Sequence, residues 1–379
     1  MTKILQQYED SSKPKGPSFR EKGEAMMRMT YCIALCCALM PANAIAIDNS
    51  RYLQFVQQGR IEYRSGRFLA AETSFINALQ ALEPSDRDER AGTLTELGSV
   101  FANEDKLSRA EQVYMEALTI YKQLADGKKM ALLLRHLGAV YSLQGRNDDG
   151  LRVLNQALKL TEAHHATALE VEVLNSIGVV YYRQGKHRKA AKFFNRALNT
   201  AYSSGVPADF GELLNNLGNL YQAAHKYKEA EVFLKQALKL METEVGPLHP
   251  DLTFTLASLG GLYTVTGRYA DAEDQYQRAL KILEPSQPDF DTRVARLLHA
   301  LSASYARAGK KREATAALAR AAEIARLNLA QHVDMAGILE DYSASLNDQG
   351  KRKEAEELRV EAKRARVAAG LVITAHQPF

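Results

Sequence analysis

The side chains suited to nucleophilic attack or metal binding are three cysteines, Cys32, Cys36 and Cys37, and nine histidines. A thiolate or an imidazole does such work only beside a base or further ligands. Neither arrangement occurs here. The cysteines lie in an apolar run from Thr30 to Met40 and read as small hydrophobic residues. From Ala38 onward there is no cysteine, so neither a disulfide nor a thiolate metal site can hold the rest of the chain. The histidines show no His-Glu-x-x-His spacing and no paired carboxylate and thiol partners, and there is no phosphate-binding glycine loop. His164 and His165 fall in a bend between apolar segments and are expected to be exposed loop residues. The residue types therefore predict no enzyme, no metal and no cofactor.

The elements that must position everything else come from one recurring pattern. A Leu-Gly pair, an aromatic three residues later, a turn, an Ala and then an Ala-Leu pair return along the chain. The anchors are Gly59, Gly98, Gly138, Gly178, Gly218, Gly260, Ser302 and Ser343; from Gly98 on they step by 40, 40, 40, 42, 42 and 41 residues. A period in that range marks a stacked array in which each unit contacts its neighbours. In the unit from Asp209 to Met241, Leu213, Leu214, Leu217, Leu220 and Tyr221 form one helical face, and Ala230, Phe233, Leu234, Ala237, Leu238 and Met241 form a second. Gly218 sits on the first face, where glycine costs about 1 kcal/mol of helix propensity. Its recurrence predicts that a neighbouring helix approaches closely. Gly66, Gly145, Gly185, Gly267, Gly309 and Gly350 occupy the turn, and Pro84, Pro207, Pro247, Pro250, Pro285 and Pro288 fall between hairpins.

Leu214, Leu217, Gly218, Tyr221, Ala230, Leu234 and Ala237 fill the signature positions of a tetratricopeptide repeat, and the chain resembles that family over about residues 49–369. The sixth unit, with His249-Pro250-Asp251, Leu259-Gly260, Tyr263, Gly267, Ala272-Glu273, Tyr276 and Ala279-Leu280, is similar to kinesin light chain repeats. The period exceeds the family's usual length of about 34 residues, which implies longer helices and unchanged stacking. The resemblance implies an all-α, right-handed superhelical solenoid of about eight hairpins over residues 47–369, followed by a tail at 370–379. The last helix, dense in Lys, Arg and Glu from Lys353 to Arg366, reads as a solvated end cap.

In this family the first helix of each hairpin lines the concave groove. Carried over by position, the residue three before the small anchor is Thr95, Arg135, Asn175, Asn215, Ala257 or His299, and the one after it includes Ser99 and Asn219. Asparagine both donates and accepts, so Asn175, Asn215 and Asn219 with Arg135 form an expected ladder for gripping the backbone of an extended peptide, with His299 further along. The Lys, Asn and Arg set of a terminal-carboxylate clamp is missing, and no heptad segment precedes the repeats.

The formal charge of +4, from 49 basic and 45 acidic residues, is too even for the basic stripe that nucleic acid requires. At the N-terminus, residues 26–46 read as a signal peptide. Met26-Met27-Arg28-Met29 leads the apolar run, and Pro41-Ala42-Asn43-Ala44 with Ala46 offers cleavage after Ala44 or Ala46. Residues 1–25 form a polar leader, consistent with a start codon assigned upstream of the true one. The alternative is an uncleaved anchor over Thr30–Ile47, which Pro41 interrupts. The sequence thus predicts an exported, periplasmic or secreted scaffold or adaptor that binds protein or peptide segments, with membrane contact only if the segment stays uncleaved. A membrane-tethered assembly factor and a non-catalytic subunit of an enzyme complex are the alternatives.

Overall fold

Apolar stripes three and four residues apart, interrupted by positive-φ turns, produce sixteen helices among the described residues. The computed structural model describes residues 49–368 apart from residues 105, 206–209, 284–291 and 330–334. The leader, the signal peptide with its three cysteines, the tail at 370–379, and Pro207, Pro285 and Pro288 lie outside the described residues.

The helices pair into eight hairpins: α1 (Asn49–Arg64) with α2 (Phe68–Gln80), α3 (Arg87–Asn103) with α4 (Leu107–Gln123), α5 (Gly127–Leu143) with α6 (Asn147–Ala163), and α7 (Thr167–Arg183) with α8 (His187–Ser204). They continue with α9 (Phe210–Ala223) and α10 (Tyr227–Val245), α11 (Leu252–Val265) and α12 (Tyr269–Leu283), α13 (Thr292–Arg307) and α14 (Lys311–Asn328), and α15 (Ala336–Asp348) and α16 (Arg352–Ala368). Helices α4 to α7 are 17 residues each, which accounts for the long period.

Each hairpin closes on one crossing. The small anchor of the first helix faces the residue sixteen positions on: Gly59 meets Phe75, Gly98 Tyr114, Gly138 Leu154, Gly178 Phe194, Gly218 Leu234 and Gly260 Tyr276. A methyl group at any of these glycines would enter the partner side chain. The close approach expected of the anchor is therefore real, and burying each large partner contributes about 2–3 kcal/mol. At the eighth hairpin a different contact takes over: Ser343 Oγ donates to Ala355 O at 2.6 Å, and the facing position is Arg359. Among residues 352–367 of α16 only Ala355 and Ala362 are buried, consistent with a solvated cap.

The turn glycines have φ between 68° and 80°. At Gly185 the Lys186 N–H donates to Tyr181 O at 2.9 Å, ending α7 with its carbonyls satisfied. Ala125, His165 and His225 adopt the same conformation without being glycine, with φ of 54°, 50° and 58°. An L side chain there costs about 1 kcal/mol. We expect Ala125→Gly to raise the urea midpoint by an amount worth up to about 1 kcal/mol; a lower midpoint would show that the strain is absent.

Successive hairpins pack second helix to next first helix, and the first helices also touch each other, as in α3 with α5, α5 with α7 and α11 with α13. No two successive second helices make comparable contact. The first helices therefore lie on the inner side of the curve. Two large core clusters meet in α10, where Phe233 and Ala237 belong to the first and Ala230 and Leu234 to the second.

A latch recurs at the outer end of these junctions. The cation after the turn lies against an aromatic five residues before it and pairs with a glutamate of the preceding hairpin: Lys106 with Glu72 at 2.7 Å, Arg146 with Glu111 at 3.0 Å, Arg268 with Glu231 at 2.9 Å and Lys310 with Glu273 at 2.8 Å. The aromatics are Phe101, Tyr141, Tyr263 and Tyr305, with the cation 4.2 to 5.7 Å from the ring centre. Tyr263 and Tyr305 also donate their hydroxyls to Glu231 and Glu273, at 3.1 and 2.7 Å.

Candidate functional site

Arg135, Asn175, Asn215, Asn219 and His299 all lie on first helices of their hairpins, the helices of the inner side. Among the described residues no group of three or more His, Cys, Asp or Glu is placed so that it could hold a metal ion. His164 and His165 are exposed, as the sequence predicts.

Arg135 on α5 and Asn175 on α7 come together in one hollow of about 200 Å³, whose wall also includes Glu172, Ser176 and Glu212 and whose apolar part is Val171 and Leu213. A hollow of that size is below the roughly 300–1,000 Å³ of small-molecule pockets and suits one or two side chains of a peptide. Within it, Arg135 Nε lies 3.2 Å from Glu172 Oε2. Asn175 Nδ2 donates to Glu212 Oε1 at 3.0 Å, and Asn175 Oδ1 accepts from Asn216 Nδ2 at 3.0 Å. The asparagine expected to be free for a ligand is thus already bridging two hairpins. A partner must displace these contacts or bind the atoms they leave.

Asn215 is the next rung. It is 9% exposed, and its Oδ1 has no hydrogen-bond partner among the described residues. A buried carbonyl left unpaired costs about 1–3 kcal/mol, which an incoming N–H would recover. Asn219 is half-buried on the same helix. His299 stands apart on α13, its Nε2 2.7 Å from Asp341 Oδ2 of the following hairpin. Thr95 turns its hydroxyl onto Ala91 O at 2.7 Å, and Ser99 shares a hydrogen bond with Tyr114 at 3.0 Å.

Electrostatically the hollow has one cation and two carboxylates. His136, beside Arg135, adds no charge: burial, and then the positive charge of Arg135, hold it down to about 3. Its ring stacks on Tyr114, with centroids 5.4 Å apart.

Sequence reasoning missed Glu172 and Glu212, which lie six residues before Gly178 and Gly218, and Asn216, which lies two before Gly218. It also missed Phe254, six before Gly260, which is 72% exposed in the register of those glutamates. Lining up each unit on its anchor reveals these positions. Nothing in the residue types shows which of them pair.

Residues 129–203 and 209–284 match the family profile described as Tetratricopeptide repeat. No curated protein sequence matches the chain. Among solved structures it is similar to a Rap protein complexed with Competence and Sporulation Factor, with a TM-score of 0.63 at 16% identity over 93% of this chain and 94% of that one. It is also similar to the Rap conjugation gene regulator of plasmid pLS20 in complex with the Phr* peptide, with a TM-score of 0.59 at 15% identity over 83% and 86%. A third is the apo quorum sensor NprR from B. thuringiensis, with a TM-score of 0.60 at 12% identity over 91% and 94%. At these identities the likeness is one of fold. The matched segments cover hairpins three to six, so these four are tetratricopeptide repeats, and the hairpins before and after them repeat the same helix-turn-helix architecture on the same anchors.

Proposed function

We propose that this protein is a non-catalytic scaffold or adaptor that holds an extended segment of a partner protein along the inner face of its array. The observation that carries this reading is the polar hollow shared by Arg135, Asn175 and Glu212, followed one hairpin later by the buried, unpartnered Oδ1 of Asn215. Neighbouring helices lie roughly 10 Å apart, so an extended chain at about 3.3 Å per residue meets a new hairpin every three residues or so. A ladder of amides at that interval can exchange hydrogen bonds with a peptide backbone, and exposed Phe254 offers an apolar anchor beyond it. One protein of similar fold is described in complex with a peptide, which supports the same class of partner.

Asn215→Ala leaves no hydrogen bond from Oδ1 to lose, so it should weaken partner capture severalfold while changing the melting temperature by only about a degree. Asn175→Ala should lower both, because Glu212 and Asn216 lose their shared partner. Capture on immobilised protein, followed by mass spectrometry, reads the first effect. Unchanged capture by Asn215→Ala combined with Phe254→Ala would remove the groove from the function.

The array is further proposed to act outside the cytoplasm, on the strength of the apolar run and Ala-x-Ala site at residues 26–46. Among the described residues no helix is long and apolar enough to cross a membrane. N-terminal sequencing of protein from a membrane-free fraction should begin after Ala44 or Ala46; an intact segment from Met26 to Ala44 would end the export proposal.

A further inference from the structure

Of the hairpin turns made by glycine, five are open and one is covered. A methyl group placed on Gly145, Gly185, Gly267, Gly309 or Gly350 would meet no atom within 4 Å, and all five are exposed. Gly66, in the turn of the first hairpin, is half-buried, and a methyl group there would lie 2.9 Å from Arg293 Nη2. Arg293 belongs to α13, six hairpins further along. A second approach accompanies the first. Tyr63 is raised above its ordinary range by burial, against the hydrogen bond from Asn103, and the negative charge of Asp251 adds to the rise. Asp251 caps the start of α11, so the first hairpin is approached from the sixth as well as the seventh. Stacking of each unit on its neighbours produces neither contact directly. The inward curve of the first helices brings the first hairpin back against the seventh. Tyr63 also walls a hollow of about 270 Å³ with Arg60, Arg64 and Ser99, which places this clasp beside the inner groove.

A clasp between distant units can open only if the array between them turns somewhere. Ion pairs join six of the seven successive pairs of hairpins: Lys106 with Glu72, Arg146 with Glu111, Arg196 with Glu162, Arg268 with Glu231, Lys310 with Glu273 and Arg326 with Glu361, at 2.7 to 3.0 Å. Between hairpins four and five no ion pair occurs among the described residues. The polar link there is Asn175, bonded to Glu212 and Asn216 at 3.0 Å each. One exposed ion pair stabilises little by itself. A hinge, however, needs only one junction that turns more easily than its neighbours.

We propose that the array is a clamp: hairpins one to four and five to eight turn about the junction at Asn175, and the contact of Arg293 with the Gly66 turn closes the mouth of the inner groove. The hinge and the ligand use the same amide. A segment that takes the hydrogen bonds of Asn175 from Glu212 and Asn216 loosens the one junction without an ion pair, so filling the hollow and closing the clasp oppose each other. What enters rests on the groove reading given above; the hinge and the clasp do not.

The chain from Ala38 onward has no cysteine, so introduced thiols report cleanly once Cys32, Cys36 and Cys37 are each changed to Ser in the full-length protein. Ser65→Cys with Arg296→Cys, one helical turn beyond Arg293, should be joined within one chain by a short bismaleimide, seen as a faster band on a denaturing gel. Adding Arg293→Ala should slow that reaction at least about threefold. Asn175→Ala should slow it by a similar factor from the hinge, whereas Asn155→Ala, on the exposed side of α6, should not change it. Asn216→Ala, which removes one of the two links, serves if Asn175→Ala does not fold. Small-angle X-ray scattering gives a reading without thiols: Arg293→Ala should have a larger radius of gyration than the parent. No cross-link within the chain, equal rates for Asn175→Ala and Asn155→Ala, or identical scattering of the parent and Arg293→Ala would overturn the proposal. None of these measurements uses a partner, so a groove that binds nothing leaves them unchanged, and a clamp that fails leaves groove capture to its own test.

Discussion

Gly178→Ala is expected to destabilise the protein by about 2 kcal/mol, although alanine is the better helix former by about 1 kcal/mol. The added methyl would lie 2.5 Å from Phe194 Cδ1 and closer still to Cε1. Phe194 is 1% exposed, so its ring has no open space to move into. Two buried helices must separate or the ring must leave its rotamer, and either outcome outweighs the propensity gain. Phe194→Ala should cost about 3–5 kcal/mol by leaving a cavity. The double variant should cost less than the sum by at least about 1 kcal/mol, since the methyl added at position 178 then meets no ring. Urea unfolding of the four proteins reads the coupling. A stabilised Gly178→Ala, or additive costs, would mean that the crossing is not where the hairpin closes.

The second large effect concerns acid. His136 is held down to about 3 in the folded protein, by burial first and by Arg135 second, whereas an unfolded chain binds that proton near pH 6.5. Below about pH 6.5 the unfolded state therefore carries a proton that the folded state refuses. The stability tied to the neutral ring is complete above that pH and is lost progressively as pH falls toward 3. At most about 1.4 kcal/mol is lost per pH unit, which gives about 2–3 kcal/mol by pH 4.5. His136→Phe keeps a flat ring against Tyr114 and cannot protonate, so its stability relative to the parent should rise by that amount between pH 7.5 and 4.5. Glutamates such as Glu273, held below the ordinary range by hydrogen bonds from Lys310 and then Tyr305, titrate in both proteins and cancel in the comparison. Parallel pH profiles would show that His136 is solvated.

Much of the fold was legible because each crossing is local. Gly178 and Phe194 are sixteen residues apart, and the apolar stripes that carry them recur with the helical period. The turn at Gly185 was equally plain. Ala125, His165 and His225 were not, since nothing in an alanine or a histidine announces a positive φ. The first hairpin is also less regular than its neighbours: Glu62, standing where the repeat places an aromatic, is buried and accepts hydrogen bonds from Ser74 at 2.7 Å and Gln58 at 2.6 Å.

The candidate site was legible only in part. Register assigns Arg135, Asn175, Asn215, Asn219 and His299 to the first helices of their hairpins, and those helices contain them. Their availability was not readable, because Asn175 joins Glu212 and Asn216, 37 and 41 residues away, and His299 meets Asp341 at 42. By itself the sequence determined the helices, their turns and the unit that repeats, all of which depend on contacts within one period of about 40 residues. Which polar groups remain for a partner was decided only by the tertiary structure, since stacking one hairpin on the next consumes some amides and charges and leaves Asn215 Oδ1 without a partner among the described residues.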